Sequence, residues 1–151
     1  MATLTAARAA ASHPVAKAVG AGQMAVYYGS YDAATTLATA DVIEMCRVPA
    51  GFVCLGGFLR MEDLDTNGTE TLDVDVGDTA DTDRLGNFGV RTGDAVTDYL
   101  PEGGTLLPLH GTLKDGPVSY SAETVVSVTV VAGAATAAAG TITLVLFGVN
   151  P

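Results

Sequence analysis

Near its end the chain reads Glu123-Thr-Val-Val-Ser-Val-Thr-Val-Val131, then an Ala-rich break at 132–140, then Thr141-Ile-Thr-Leu-Val-Leu-Phe147. β-branched residues dominate both runs. From Thr124 to Val149 the stretch is long enough to suggest a membrane span, but Ser127, Gly133 and Gly140 interrupt it. A span needs about 20 consecutive apolar residues without such breaks, so two β-strands are predicted instead. Alanine favours helix, yet two glycines and Thr136 in a segment this short predict a hairpin loop between the strands.

Outward from that pair the same pattern recurs. Met24-Ala-Val-Tyr-Tyr-Gly-Ser-Tyr31 is rich in β-formers. Asp41-Val-Ile-Glu-Met-Cys-Arg-Val48 leads through Pro49-Ala50-Gly51 into Phe52-Val-Cys-Leu-Gly-Gly-Phe-Leu-Arg60. Pro fixes φ and Gly tolerates positive φ, so this segment predicts a second hairpin. Its second strand is apolar on both faces, which predicts burial on both sides, and Gly56-Gly57 suggests a bulge or a close backbone approach. Thr69-Glu-Thr-Leu-Asp-Val-Asp-Val76 alternates, placing Leu72, Val74 and Val76 inward with Asp73 and Asp75 in solvent. Residues 77–84 are predicted as a turn-rich loop and 85–103 as irregular, with one helical turn at Asp94–Tyr99. A strand resumes at Thr105–Leu113. The sum is an all-β fold, an antiparallel β-sandwich of about eight strands, for which a jelly roll is the natural version at this length.

Of the 151 residues 17 are acidic and 7 basic, a formal charge of −10. Nucleic-acid affinity comes largely from Lys and Arg displacing counterions, so this surface disfavours DNA, RNA and anionic membranes as partners. Residues 1–22 differ, for they carry Arg8, His13 and Lys17 and no acid. They lack the unbroken apolar core of a secretory signal. The predicted organisation is an extended N-terminal arm at 1–22 and a β-domain at 23–151. Ordering backbone costs about 1–2 kcal/mol per residue, so such an arm is expected to stay loose unless a partner surface holds it, and a frayed terminus and a docking arm both fit.

Catalytic and metal motifs are sparse. Asp63-Leu-Asp65-Thr-Asn67-Gly68 matches the opening of a calcium loop, but Val74 stands at the twelfth position, where a bidentate Glu is needed. Asp63, Asp65 and Asn67 are therefore a weak metal candidate beside the simpler reading, an acidic turn. Cys46 and Cys54 are symmetric about residue 50, and buried free thiols or a cross-strand disulfide both fit. His13 and His110 are far from the cysteines in sequence, which argues against zinc. His110 is the one serious candidate base, but no G-x-S-x-G or phosphate-binding loop accompanies it. The expectation is a non-enzymatic protein without a cofactor.

The layout resembles the head decoration, or cement, proteins of tailed bacteriophages and related virion structural proteins. The likeness is carried by Val26-Tyr-Tyr-Gly-Ser-Tyr31, by Asp41-Val-Ile-Glu-Met with Val48-Pro-Ala-Gly51, and by Asp63-Leu-Asp65. It continues through Leu72-Asp-Val-Asp-Val-Gly77, Asp81-Thr-Asp-Arg84 and the two closing strands. The resemblance implies a jelly-roll-like domain, often trimeric, on the outer capsid surface of the virion, with the major capsid protein as partner and assembly in the host cytoplasm. Together with the charge contrast it makes Arg8, His13 and Lys17 candidate interface residues. A tail or fibre module binding a host surface is the alternative, and a calcium-dependent adhesion module a third.

Overall fold

Along the closing strand Ile142, Leu144 and Leu146 are fully buried, while Thr143, Val145 and Phe147 between them face outward. A period of two leaves each strand one face to bury, and a second sheet is what covers it. The computed structural model describes residues 2–7, 9–10, 23–33, 36–89 and 105–150. It has β1 (Thr3–Thr5), β2 (Gln23–Ala33), β3 (Val42–Val48), β4 (Val53–Met61) and β5 (Asp73–Asp78). There follow β6 (Asp81–Gly89), β7 (Thr105–Pro108), β8 (Val118–Ser119), β9 (Thr124–Ala132) and β10 (Gly140–Asn150). A short 3-10 helix spans Gly111–Asp115.

Two five-stranded sheets form a sandwich. Sheet I has the order β1-β3-β9-β5-β6; sheet II has β2-β10-β4-β7, with β8 also pairing β4. Only β1 with β3 is parallel among these pairs. The core between the sheets contains Ile43, Met45 and Val48 from sheet I and Leu59, Ile142 and Leu144 from sheet II, all fully buried. Phe52 closes one end, edge-on to Tyr27 at 4.9 Å and stacked on Tyr120 at 6.2 Å between ring centres. Rings in such arrangements contribute about 0.5–1.5 kcal/mol beyond the area they bury.

Several expectations are corrected. The strands number ten among the described residues rather than about eight, the short β1 and β8 being the additions a pattern reading passes over. Neither expected hairpin is one: β3 and β4 lie in different sheets, as do β9 and β10. At Pro49–Gly51 the turn chemistry is as read, with Gly51 at φ +85°. The amide of Gly51, however, donates to the Tyr120 carbonyl at 2.7 Å, so the chain crosses to sheet II instead of folding back on β3. The loop expected at 77–84 and the irregular stretch after it contain instead a true hairpin, β5–β6. Asp78 Oδ1 accepts the N–H groups of Ala80 and Asp81 at its turn, and Leu85 and Phe88 anchor β6 in the core.

Asp73 and Asp75 are buried, not solvated, because β5 is central and its outward carboxylates are covered by β6. Asn87 Nδ2 donates to both, and Thr82 Oγ1 donates to Asp75 at 3.4 Å. The strand at 105–113 ends at Pro108, and the 3-10 helix follows. His110 stands edge-on to Phe88 with ring centres 4.9 Å apart. Asp94–Tyr99 lie outside the described residues.

Cys46 and Cys54 are free and buried on opposite sheets. Burial, aided by the neighbouring Cys54, pushes the Cys46 thiol up to about 12, and burial likewise raises Cys54. The thiolate is the reactive form. Neither cysteine is therefore expected to react with a thiol reagent at pH 8 in the folded protein, and both are expected to react in denaturant. Rapid labelling of the native protein would contradict this burial. Phe52→Ala is expected to lower unfolding free energy by about 3–5 kcal/mol, read from denaturant titration.

Candidate assembly surface

The two outer faces of the sandwich differ in chemistry. On sheet II the strand register aligns Met24 with Val149 and Val53, Val26 with Phe147 and Gly56, and Tyr28 with Val145 and Phe58. The side chains between them point inward, so these rows make one outward surface across β2, β10 and β4. Met24 is 70% exposed, Val26 53%, Leu55 46% and Tyr28 43%. Leu106 on β7 extends the surface beside Arg60. The Phe147 ring lies over Gly56, where a Cβ would fall 2.7 Å from it. At this point the register of β4 shifts, leaving Leu55 as the extra residue. The paired glycines thus mark a bulge and a close approach together, as their sequence suggests.

Toward the other end the same face turns polar. Ser30 and Thr143 share a hydroxyl hydrogen bond of 3.0 Å, Thr141 Oγ1 donates to Asp32 at 2.9 Å, and Arg60 pairs with Glu62 at 3.7 Å. A contiguous apolar patch rimmed by polar groups is the usual mark of a protein contact. β4 was expected to be buried on both faces; among the described residues its outer face is open at Leu55. The outer face of sheet I carries instead a groove of about 760 Å³ whose walls include Thr3, Glu44, Asp78, Arg84 and Glu123.

The acidic turn has its own architecture. Asp63 Oδ1 accepts the N–H of Asp65, Asp65 Oδ1 that of Asn67, and Asn67 Oδ1 that of Thr69, at 3.2, 3.4 and 2.9 Å. The two-residue spacing thus serves three successive side-chain-capped turns. Asp65 is 2% exposed and also accepts from Thr71, Leu72, Ala135 and Thr136 at 2.8–3.2 Å. Its oxygens therefore face backbone amides from two separate loops, and a cation there would have to displace them.

Among the described residues no group of three or more His, Cys, Asp or Glu is placed to hold a metal ion. Arg8, His13 and Lys17 lie outside the described residues. The apolar rows on sheet II went unread as a site, although Met24, Val26 and Tyr28 alternate visibly with the inward residues of β2.

No family model and no curated protein matches the chain. Solved structures do. A chain of the Cyanophage Pam1 capsid asymmetric unit is 27% identical, with 93% of this chain and 95% of that one covered and a TM-score of 0.69. A chain of the capsid of Ralstonia phage GP4 is 24% identical over 99% of both chains, with a TM-score of 0.74. A chain of the acidic stable capsid structure of Helicobacter pylori bacteriophage KHP30 is 12% identical over 87% of this chain and 92% of that one, with a TM-score of 0.54. The last two likenesses are of fold.

Burial is the largest influence on Asp65 and opposes its ionisation, but the backbone donors of Thr136, Thr71, Ala135 and Asn67 together outweigh it and hold the carboxyl down at about 2. The unfolded carboxyl titrates near 3.8. A depressed folded value contributes stability above the unfolded value, which is lost as pH falls through the folded one. Unfolding free energy is expected to drop by roughly 2 kcal/mol between about pH 5 and pH 1 from this group. Asp65→Ala, which strands several donors, is expected to remove about 3 kcal/mol at neutral pH and to flatten that acid limb. An unchanged acid limb in denaturant titrations would refute the assignment.

Proposed function

We propose that this chain is a non-enzymatic structural protein of a phage virion, which decorates the capsid by binding the outer surface of the major capsid protein lattice as a homotrimer. The observation that carries this reading is the 27% identity to a chain of the Cyanophage Pam1 capsid, maintained over 93% of this chain. The fold likeness to the other two phage capsid structures supports it. We read the sandwich as a jelly roll: without the short β1 and β8, the eight remaining strands run 1-8-3-6 in one sheet and 2-7-4-5 in the other.

The physical role follows from the surface. The apolar rows of sheet II bury against neighbouring subunits in a closed ring. Arg8, His13 and Lys17 on the basic arm then engage adjoining protein surface. Each contact is modest, but a lattice presents the next one at high local concentration, so clamping is strong. Resistance to pressure from within the shell needs no reaction.

Met24→Asp with Val26→Asp places two charges in the apolar rows at exposed positions, where folding tolerates them. The variant is expected to keep its melting temperature within a few degrees and to lose trimer mass by light scattering and occupancy on particles by electron microscopy. Arg8→Glu with Lys17→Glu is expected to lower capsid occupancy while leaving the domain folded. Labelled protein found at the tail tip, or absent from virions, would overturn the decoration role.

A further inference from the structure

The first residues of the chain do not stand free. β1 lies parallel to β3 in the register Thr3 with Val42, Leu4 with Ile43 and Thr5 with Glu44. The amide of Ala6 donates to the Glu44 carbonyl at 2.8 Å, and that of Val42 to the Ala2 carbonyl at 3.0 Å. Asp41 Oδ1 accepts the N–H of Ala2 at 2.9 Å, and Arg47 Nε donates to the Ala9 carbonyl at 3.0 Å. Ala6 and Ala9 are buried. Each of these bonds joins the segment to β3 or to Asp41 beside it.

The segment is thus a clip that fits the edge of β3. The next described strand is β2, on the edge of the other sheet. Packed sheets lie about 10 Å apart, and β2 packs against β3. Between Ala10 and Gln23 stand twelve residues, 11–22. That length can reach up to about 45 Å, several times the gap between the layers. An edge strand must also be covered to avoid stray pairing, and the clip from any copy of this chain covers it equally well.

We propose that the β3 edge accepts residues 2–10 of a second copy, so that neighbouring subunits exchange their N-terminal strands. Every hydrogen bond within one chain is then made once per copy between chains, so the exchange loses no contacts. It is driven by the local concentration of neighbours in an assembly. This deepens the decoration reading by specifying how the arm meets its neighbour, and it needs that neighbour to be another copy.

The test mixes two single variants, Thr5→Cys and Glu44→Cys, refolded together and oxidised, both free in solution and on virions. The two positions are directly paired, and the spacing of about 5 Å between neighbouring strands falls in the range a disulfide spans. The native cysteines are buried and silent. The expected result is a shift to the mass of a covalent dimer on a non-reducing gel, absent when either variant is oxidised alone. The double variant in one chain should then give closed covalent oligomers. Bridging confined within single chains of the double variant, with no dimer from the mixture, overturns the exchange.

A chain lacking residues 2–10 provides a second measurement. Easier dissociation of the assembly on dilution, with retained strand signal, supports the proposal, and unchanged dissociation overturns it. Occupancy of the unaltered protein on virions, imaged in parallel, separates the two ideas: occupied shells without interchain bridges defeat the exchange alone, and empty shells defeat the decoration role.

Discussion

Two loops that are far apart in sequence meet on one carboxylate. Asp65 gathers backbone N–H groups from 67–72, which leads into β5, and from 135–136, which leads from β9 to β10. Thr71 Oγ1, donating to the Gly133 carbonyl at 2.8 Å, and the amide of Thr66, donating to the Thr136 carbonyl at 3.0 Å, reinforce the junction. Loops that pass between sheets leave backbone donors without ladder partners, and buried donors left unmade are expensive. One charged acceptor settles most of them at this end of the sandwich. The inner faces of both sheets can then come to a fixed separation, and the rows on the outer faces come into line.

That alignment explains the division of labour between the two outer surfaces. Sheet I turns its buried carboxylates to its own hairpin, where Asp73 and Asp75 meet Asn87 and Asp78 meets Arg84 at 2.6 Å. Its outward chemistry is satisfied within the chain. Sheet II spends its polar groups at one end and leaves Met24, Val26, Tyr28, Leu55 and Phe147 at the other. An apolar patch rimmed by polar groups is the kind of surface at which proteins meet.

The sequence made the layers legible but not their connections. Alternation at 69–76 named Leu72, Val74 and Val76 as inward, and all three are buried, because burial on one face is a local property with a period of two. Pro49-Ala50-Gly51 was read as a turn, and it is one. Whether the chain then pairs with the strand it left or crosses to the facing sheet depends on Tyr120, some 70 residues on, and no local pattern carries that. The burial of Asp73 and Asp75 was hidden likewise, since it follows from β5 being central and β6 being a strand despite Gly86 and Gly89. Asp63, Asp65 and Asn67 were visible as a motif, but the partners at Ala135 and Thr136 that occupy Asp65 are supplied by the fold. β1 is three residues long, too short for periodicity to register.

The placement of the two sulfurs sets how the fold responds to the redox state of its surroundings. Cys46 and Cys54 are sealed in the interior, one on each sheet, and no cross-link between them holds the layers together. Cohesion of this sandwich rests on apolar packing, backbone amides and the Asp65 carboxylate, none of which exchanges with glutathione. A protein of this construction can pass from a reducing to an oxidising medium without a single covalent bond having to form or break.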